Sequence, residues 1–123
     1  MKTLIGLLYR DGSNYKFSTD FIVEGEVDDE AVAAFLEEGE DLLVGPIRDR
    51  GIAIPDPHDV AWRTHRKNDD DHVWVSYDGS MPYEGGRAPL CTTEQFLSVL
   101  KACHESDWQD YVLQETDRLD LNE

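Results

Sequence analysis

Lysine, cysteine and long apolar runs are all scarce in this chain of 123 residues. It has four lysines, and no apolar run approaches the roughly 20 residues that cross a bilayer. The only cysteines, Cys91 and Cys103, flank a predicted helix of about 18 Å, and a disulfide needs Cα atoms within about 7 Å. Two free thiols fit a reducing compartment, so we predict a cytoplasmic protein with no membrane partner.

The motifs of common enzymes and metal proteins are also missing. The chain has no Gly-rich phosphate loop, no Gly-x-Ser-x-Gly and no His-x-x-x-His or Cys-x-x-Cys pair. Residues 68–72 resemble part of a calcium loop, but they lack its central glycine and late glutamate, which favours a solvated turn. We therefore predict no catalytic residue, no metal and no cofactor.

Negative charge is what the chain has in excess. Asp and Glu number 27 against 11 Lys and Arg, which gives a net charge of −16. The acids cluster in blocks 24–41, 69–71 and 105–123, and the first block contains no Lys or Arg. Such a field repels nucleic acid and anionic lipid and attracts basic proteins.

We predict a non-enzymatic interaction module whose acidic surface binds a basic partner, such as a toxin or a nucleic-acid-binding protein. The residues predicted to bind are Glu37, Glu38, Glu40, Asp41, Asp69, Asp70, Asp71, Asp107 and Asp110. The domain would act as an inhibitor, an immunity protein or a nucleic-acid mimic, without touching nucleic acid directly. A homodimer stays open.

Two other interpretations stay open beside this one. The first is a small enzyme that uses a carboxylate or Cys91, because Cys91 precedes a predicted helix whose dipole lowers the pKa of a nearby thiol. The second is an acidic housekeeping protein, adapted for solubility or for high salt, with no charge-based partner.

Hydrophobic periodicity predicts an N-terminal hairpin over residues 3–24. Residues 3–9 are apolar throughout, and Asp11-Gly12 is a strong hairpin-turn pair. Residues 15–24 then alternate apolar and polar, with Ile22 as the exception, as a half-buried antiparallel strand does. The apolar start has no small-residue cleavage site, so it indicates a strand rather than a signal peptide.

The rest of the chain predicts a single α+β domain over residues 1–123. We expect a mainly antiparallel sheet of three or four strands, with about three helices packed on one face. The predicted helices are 29–38, 93–104 and 107–116, and the predicted third strand is 73–77, closed by Asp78-Gly79. Prolines make residues 45–72 a predicted loop region, in which Ile52 and Ile54 form a short edge strand.

The segment Tyr9-Arg10-Asp11-Gly12-Ser13-Asn14-Tyr15-Lys16 resembles the opening hairpin of small uncharacterised bacterial proteins. Those proteins similarly begin with a strand, a turn of this kind and a short acidic helix. The resemblance covers about the first third of the chain, and it implies a bacterial cytosolic setting and no activity. Within the turn, Arg10 and Lys16 lie close enough to act as an anion clamp.

Overall fold

The predicted hairpin is the centre of the fold. In the computed structural model, which describes residues 1–122, its strands pair without a break from Lys2–Glu24 to Arg10–Lys16. The strands are β1 (Lys2–Arg10), β2 (Lys16–Glu24), β3 (Asp41–Leu42), β4 (Val75–Tyr83) and β5 (Cys91–Thr92). The helices are α1 (Asp29–Ala33), α2 (Val44–Asp49), α3 (Pro57–Thr64), α4 (Thr93–Glu105) and α5 (Val112–Arg118), with a 3-10 helix at Trp108–Tyr111 before α5.

The sheet is mixed and has five strands, in the order β3-β4-β1-β2-β5. The predicted α+β class is therefore confirmed. The predicted sheet, mainly antiparallel with three or four strands, was incomplete, because the sheet has a fifth strand and one parallel pair. The short strand β5 runs parallel to β2, pairing Cys91 with Val23. The expected end of the third strand at Asp78-Gly79 is a β-bulge, because Gly79 takes a φ of 85° and the strand continues beyond it.

The two faces of the sheet are covered differently. Alternate residues of β1, among them Ile5 and Leu7, are fully buried on the face that packs against the helices. On the other face Ile22 is also buried, and the connector before β5 is bound to its backbone, since Leu90 N–H donates to the Ile22 carbonyl at 2.8 Å.

The predicted helix 29–38 was too long. Helix α1 ends at Ala33, and Glu38 and Gly39 adopt positive φ values of 53° and 76° that turn the chain back into β3. Glu37 and Glu38, which were expected on the helix, therefore lie in a tight turn, which Glu37 closes by pairing with Asp41.

The predicted loop region 45–72 contains two helices. Pro46 and Pro57 lie in the first turns of α2 and α3, where a residue without an N–H group loses no helical hydrogen bond. The Asp56 side chain caps α3 by accepting from His58 N–H at 2.9 Å. The predicted edge strand at Ile52 and Ile54 was wrong, since both side chains pack in the core outside any strand.

The C-terminal helices follow the sequence pattern more closely. Helix α4 has the predicted capping box between Thr92 and Gln95, and its Cys103 is fully buried in the core. The predicted helix 107–116 is divided into the 3-10 helix and α5. Both cysteines are free thiols. Within the described residues, no helix is both long enough and apolar enough to cross a membrane.

Candidate functional site

Two of the predicted acidic segments lie side by side. Trp108 is buried and donates its indole N–H to the Phe35 carbonyl at 2.7 Å. This bond anchors the segment that carries Asp107 and Asp110 beside the turn formed by residues 37–41. We call these six residues the carboxylate surface: Glu37, Glu38, Glu40, Asp41, Asp107 and Asp110.

The carboxylate surface takes no part in the ion pairs of the described chain. The carboxylates that do form such pairs are Asp20, Asp56, Asp59, Glu105 and Glu115. Their partners are three arginines, one lysine and one histidine that lie elsewhere in the fold. Within the described residues, none of the six carboxylates therefore forms an ion pair, although His72 lies close enough to lower the pKa of Asp41.

Asp41 is the half-buried member of this surface. Its partial burial raises the pKa of the Asp41 carboxyl, and the nearby charges of Glu40 and Glu38 raise it further. A hydrogen bond of 3.1 Å from the Ser76 hydroxyl acts in the opposite direction. The net rise in the pKa means that the fold holds a negative charge here at a cost in stability.

The third predicted block, Asp69–Asp71, lies at the turn of the hairpin and is bound to it. The Tyr9 hydroxyl and the Trp62 indole both donate to the Asp71 carboxylate. Asp70 accepts from the Ser13 hydroxyl and, through its backbone carbonyl, from Gly12 N–H at 2.8 Å. Asp70 and Asp71 thus stabilise the hairpin turn through these hydrogen bonds. Asp69 is exposed.

Sequence analysis missed a buried charged cluster. Asp56, His58 and Glu115 are 2%, 0% and 1% exposed. His58 Nδ1 lies 2.7 Å from the Asp56 carboxylate, and His58 Nε2 lies 2.8 Å from the His72 carbonyl. The imidazole ring of His58 is therefore held between two oxygen atoms inside the fold.

Arg118 completes this buried cluster from α5. Its guanidinium donates to Asp56 Oδ2 and Glu115 Oε1, each at 2.6 Å, and Glu115 also accepts from Gly45 N–H at 2.9 Å. Burial by itself would raise the pKa of Asp56, but the hydrogen bonds and charge of His58, with Arg118, lower it to about 2. The Asp-Pro-His sequence at 56–58 is the only local sign of this cluster, and its partners are remote in sequence.

One surface pocket contains Cys91. It has a volume of about 410 Å³, and Arg50, Glu94, Gln95 and Ser98 contribute its polar groups. No histidine lines it, and burial raises the pKa of the Cys91 thiol, which is the opposite of the lowering expected from the helix dipole. The structure therefore surrounds Cys91 with a cavity but not with an activating base.

Among residues 1–122, no group of three or more His, Cys, Asp or Glu side chains is arranged to hold a metal ion. The fold and site thus define an α+β domain with an unpaired carboxylate surface. Comparison with known proteins found no matching family model, no similar curated protein and no similar solved structure. The candidate site is therefore defined by its residues and their geometry alone.

Proposed function

We propose that this protein is a non-enzymatic interaction domain whose carboxylate surface binds a basic protein. The observation that carries the proposal is that none of the six carboxylates of this surface forms an ion pair in the described chain, whereas Arg48, Arg87, Lys101 and Arg118 pair with carboxylates elsewhere. A basic partner would relieve their mutual repulsion and would be steered to them at long range.

The energetic state of Asp41 supports this function. The fold keeps this carboxylate half-buried beside Glu40, and both features raise its pKa. A surface that served solubility alone would gain as much from a fully exposed acid. The loss of stability that ionised Asp41 causes is explained if a cation of the partner binds beside this carboxylate.

We also propose a class of partner and a cellular location for this protein. A toxin or a nucleic-acid-binding protein carries the basic surface that this site requires, and binding such a surface would block it, as an inhibitor, immunity protein or nucleic-acid mimic does. Two free cysteines and the resemblance of the hairpin favour the cytoplasm of a bacterium.

A matched pair of variants tests the proposal. In the first, Glu37, Glu38 and Glu40 are replaced together by Gln. In the control, the exposed residues Glu24, Glu84 and Glu94 are replaced by Gln, which changes the net charge equally. Each protein is immobilised and exposed to cell lysate, and retained proteins are eluted with a salt gradient.

We expect a basic protein that the wild type and the control retain at low salt and release as salt rises. The variant in the 37–40 turn is expected to retain about tenfold less of it, because a local surface and not total charge binds. Equal loss in the two variants, or no salt-released basic protein, would overturn the proposal.

The pocket around Cys91 is the observation that favours the enzyme interpretation. A catalytic thiol would react with iodoacetamide faster than a free cysteine does, since the thiolate is the reactive form. The raised pKa of Cys91 predicts slower reaction at pH 7. Fast alkylation of Cys91 would favour an enzyme over the interaction domain.

A further inference from the structure

The loop of residues 65–74 joins α3 to β4 and lies against the turn of the hairpin. Gly12 N–H donates to the Asp70 carbonyl at 2.8 Å, and the Tyr9 hydroxyl donates to the Asp71 carboxylate. His72 follows these two acids and contacts β1 twice. Its backbone N–H donates to the Tyr9 hydroxyl at 3.2 Å, and its ring lies against the Arg10 carbonyl.

The imidazole ring of His72 makes one hydrogen bond at each nitrogen. Nε2 lies 2.7 Å from the Arg10 carbonyl, and Trp74 N–H donates to Nδ1 at 3.1 Å. To accept from this N–H group, Nδ1 must carry a lone pair and no proton. A carbonyl can only accept, so Nε2 carries the proton. The two contacts together therefore select the neutral ring with its proton on Nε2.

The backbone N–H of Trp74 depends on this ring. Trp74 directly precedes Val75, the first residue of β4, so its N–H group lies outside the pairing of the sheet. Within residues 1–122 the His72 ring is its one hydrogen-bond acceptor. Because Trp74 is half-buried, losing that acceptor costs more than it would on an open surface.

A second proton on the ring is incompatible with this arrangement. A charged imidazole has a donor at both nitrogens and no acceptor, so Nδ1–H would face the N–H group of Trp74. Turning the ring over does not restore the bond, because the other nitrogen then also carries a proton. A charged His72 must therefore release Trp74.

The groups around His72 allow it to take up this proton. The charged and titratable groups that face it are Tyr9 and Arg10 of β1, Asp41 of β3, His58 of α3 and Asp71 of the loop itself. The two carboxylates favour a positive charge on the ring, and the Arg10 guanidinium opposes it. His72 is partly exposed, so a proton can reach it from solvent.

We propose that His72 is a pH-sensitive switch: a proton gained at Nδ1 between pH 7 and pH 5, where histidine ordinarily changes its charge, releases the start of β4 from the loop. The proton comes from solvent, and no other covalent bond changes. The bonds that Gly12 and Tyr9 donate to Asp70 and Asp71 do not involve the ring, so the release is local. The switch does not depend on the proposed function, because it requires no partner.

Heteronuclear NMR of the intact protein between pH 7 and pH 5 tests the proposal. It measures which ring nitrogens of His72 carry a proton, and how strongly the fold slows hydrogen exchange of Trp74 N–H after correction for the intrinsic effect of pH. The test variant is His72→Asn, because the side-chain oxygen of Asn accepts from the N–H two residues later and does not titrate. The control is His104→Asn, at an exposed histidine on α4.

At pH 7 we expect the wild-type ring of His72 to carry one proton, on Nε2. As Nδ1 gains its proton, the protection of Trp74 N–H should fall about fivefold, which is the ordinary effect of one lost hydrogen bond. The His104→Asn variant should show the same fall. In His72→Asn the protection of Trp74 N–H should stay within about twofold over the same range.

Four results would overturn the proposal. Three concern the wild type: a ring proton on Nδ1 at pH 7, a ring that stays neutral at pH 5, or unchanged protection of Trp74 N–H while Nδ1 gains its proton. The fourth is an equal loss of protection in His72→Asn, which would assign the response to another group such as His58 or His65. The wild-type measurements decide the matter even if His72→Asn does not fold.

Discussion

Asp56 and Asp41 show how the surroundings of a single carboxylate decide its role. Asp56 is enclosed with His58 and Arg118, which compensate its charge and lower its pKa to about 2. Partial burial and the charges of Glu40 and Glu38 raise the pKa of Asp41, although the hydrogen bond from Ser76 acts in the opposite direction. The first carboxylate stabilises the fold, whereas the second is ionised at neutral pH at a cost in stability.

We predict that Asp56→Asn lowers the free energy of unfolding by about 3 kcal/mol, because breaking a buried ion pair leaves an uncompensated charge. Urea denaturation at pH 7 measures the change. The control is Asp59→Asn on the same helix, an exposed residue whose pair with Arg48 spans 4.0 Å, and it should change stability by less than about 0.5 kcal/mol. Similar values for the two variants would contradict the prediction.

The lowered pKa of Asp56 also predicts that the free energy of unfolding depends on pH. Its pKa is about 2 in the fold against an ordinary value of 3.8, so its ionised form stabilises the fold above 3.8. This contribution is lost as the pH falls from 3.8 through about 2. The difference in unfolding free energy between wild type and Asp56→Asn should shrink over this interval, and a constant difference would show that ionisation is not its source.

Asp41→Asn should raise the free energy of unfolding, whereas Asp56→Asn should lower it. A raised pKa means that the fold favours the protonated form of Asp41. The stability that this form contributes is lost as the pH rises through the folded-state pKa. At pH 7 the neutral amide should raise the free energy of unfolding by roughly 0.5 kcal/mol, while weakening partner binding. Glu84→Gln, at an exposed acid outside the carboxylate surface, is the control for net charge. If Asp41→Asn lowered the free energy of unfolding, the ionised Asp41 carboxylate would not be destabilising the fold.

At the scale of elements, local caps position the parts of the site. The Thr92 side chain accepts from Gln95 N–H at 3.1 Å, and the Gln95 side chain accepts from Thr92 N–H at 2.8 Å. This capping box starts α4 directly after Cys91, so it also sets one wall of the pocket. The Trp108 bond to Phe35 plays the corresponding role for the carboxylate surface.

We predict that Thr92→Ala lowers the free energy of unfolding by about 1 kcal/mol, because the N–H of Gln95 loses its acceptor. Thr92→Ser keeps a hydroxyl at the cap and should retain most of the stability. Thermal denaturation of both variants by circular dichroism measures the difference. If serine and alanine destabilise equally, the methyl group of Thr92 rather than its hydroxyl is responsible.

The whole molecule divides its charge unevenly. The carboxylates of residues 37–41 lie near the 3-10 helix, and those of Asp70 and Asp71 accept hydrogen bonds at the turn of the hairpin. An uneven distribution of charge affects how a charged molecule approaches a protein, beyond the effect of total charge.

The charge also predicts a response to salt. Repulsion among uncompensated carboxylates should lower the melting temperature at low ionic strength, and screening should raise it by a few degrees between 10 mM and 500 mM salt. We still expect cooperative unfolding at 10 mM, because the hydrophobic core does not depend on ions. A chain unfolded in dilute buffer would instead indicate adaptation to high salt.

Some of this architecture was predictable because its causes are local. The hairpin follows from alternation and from Asp11-Gly12, and α4 follows from its capping box. The helices α2 and α3 were missed because Pro46 and Pro57 were taken as breaks, although a first-turn proline needs no hydrogen-bond acceptor. The parallel strand β5 was missed because two residues carry no periodicity.

The sequence by itself determined the excess of acid, the free thiols and the hairpin, since composition and short-range spacing suffice for these. Only the tertiary structure decided which carboxylates are compensated, because Arg118 reaches Asp56 across 62 positions and Trp108 reaches Phe35 across 73. Burial and pairing depend on such remote contacts. They separate the Asp56 carboxylate, which His58 and Arg118 compensate, from the Asp70 and Asp71 carboxylates, which accept hydrogen bonds at the hairpin turn.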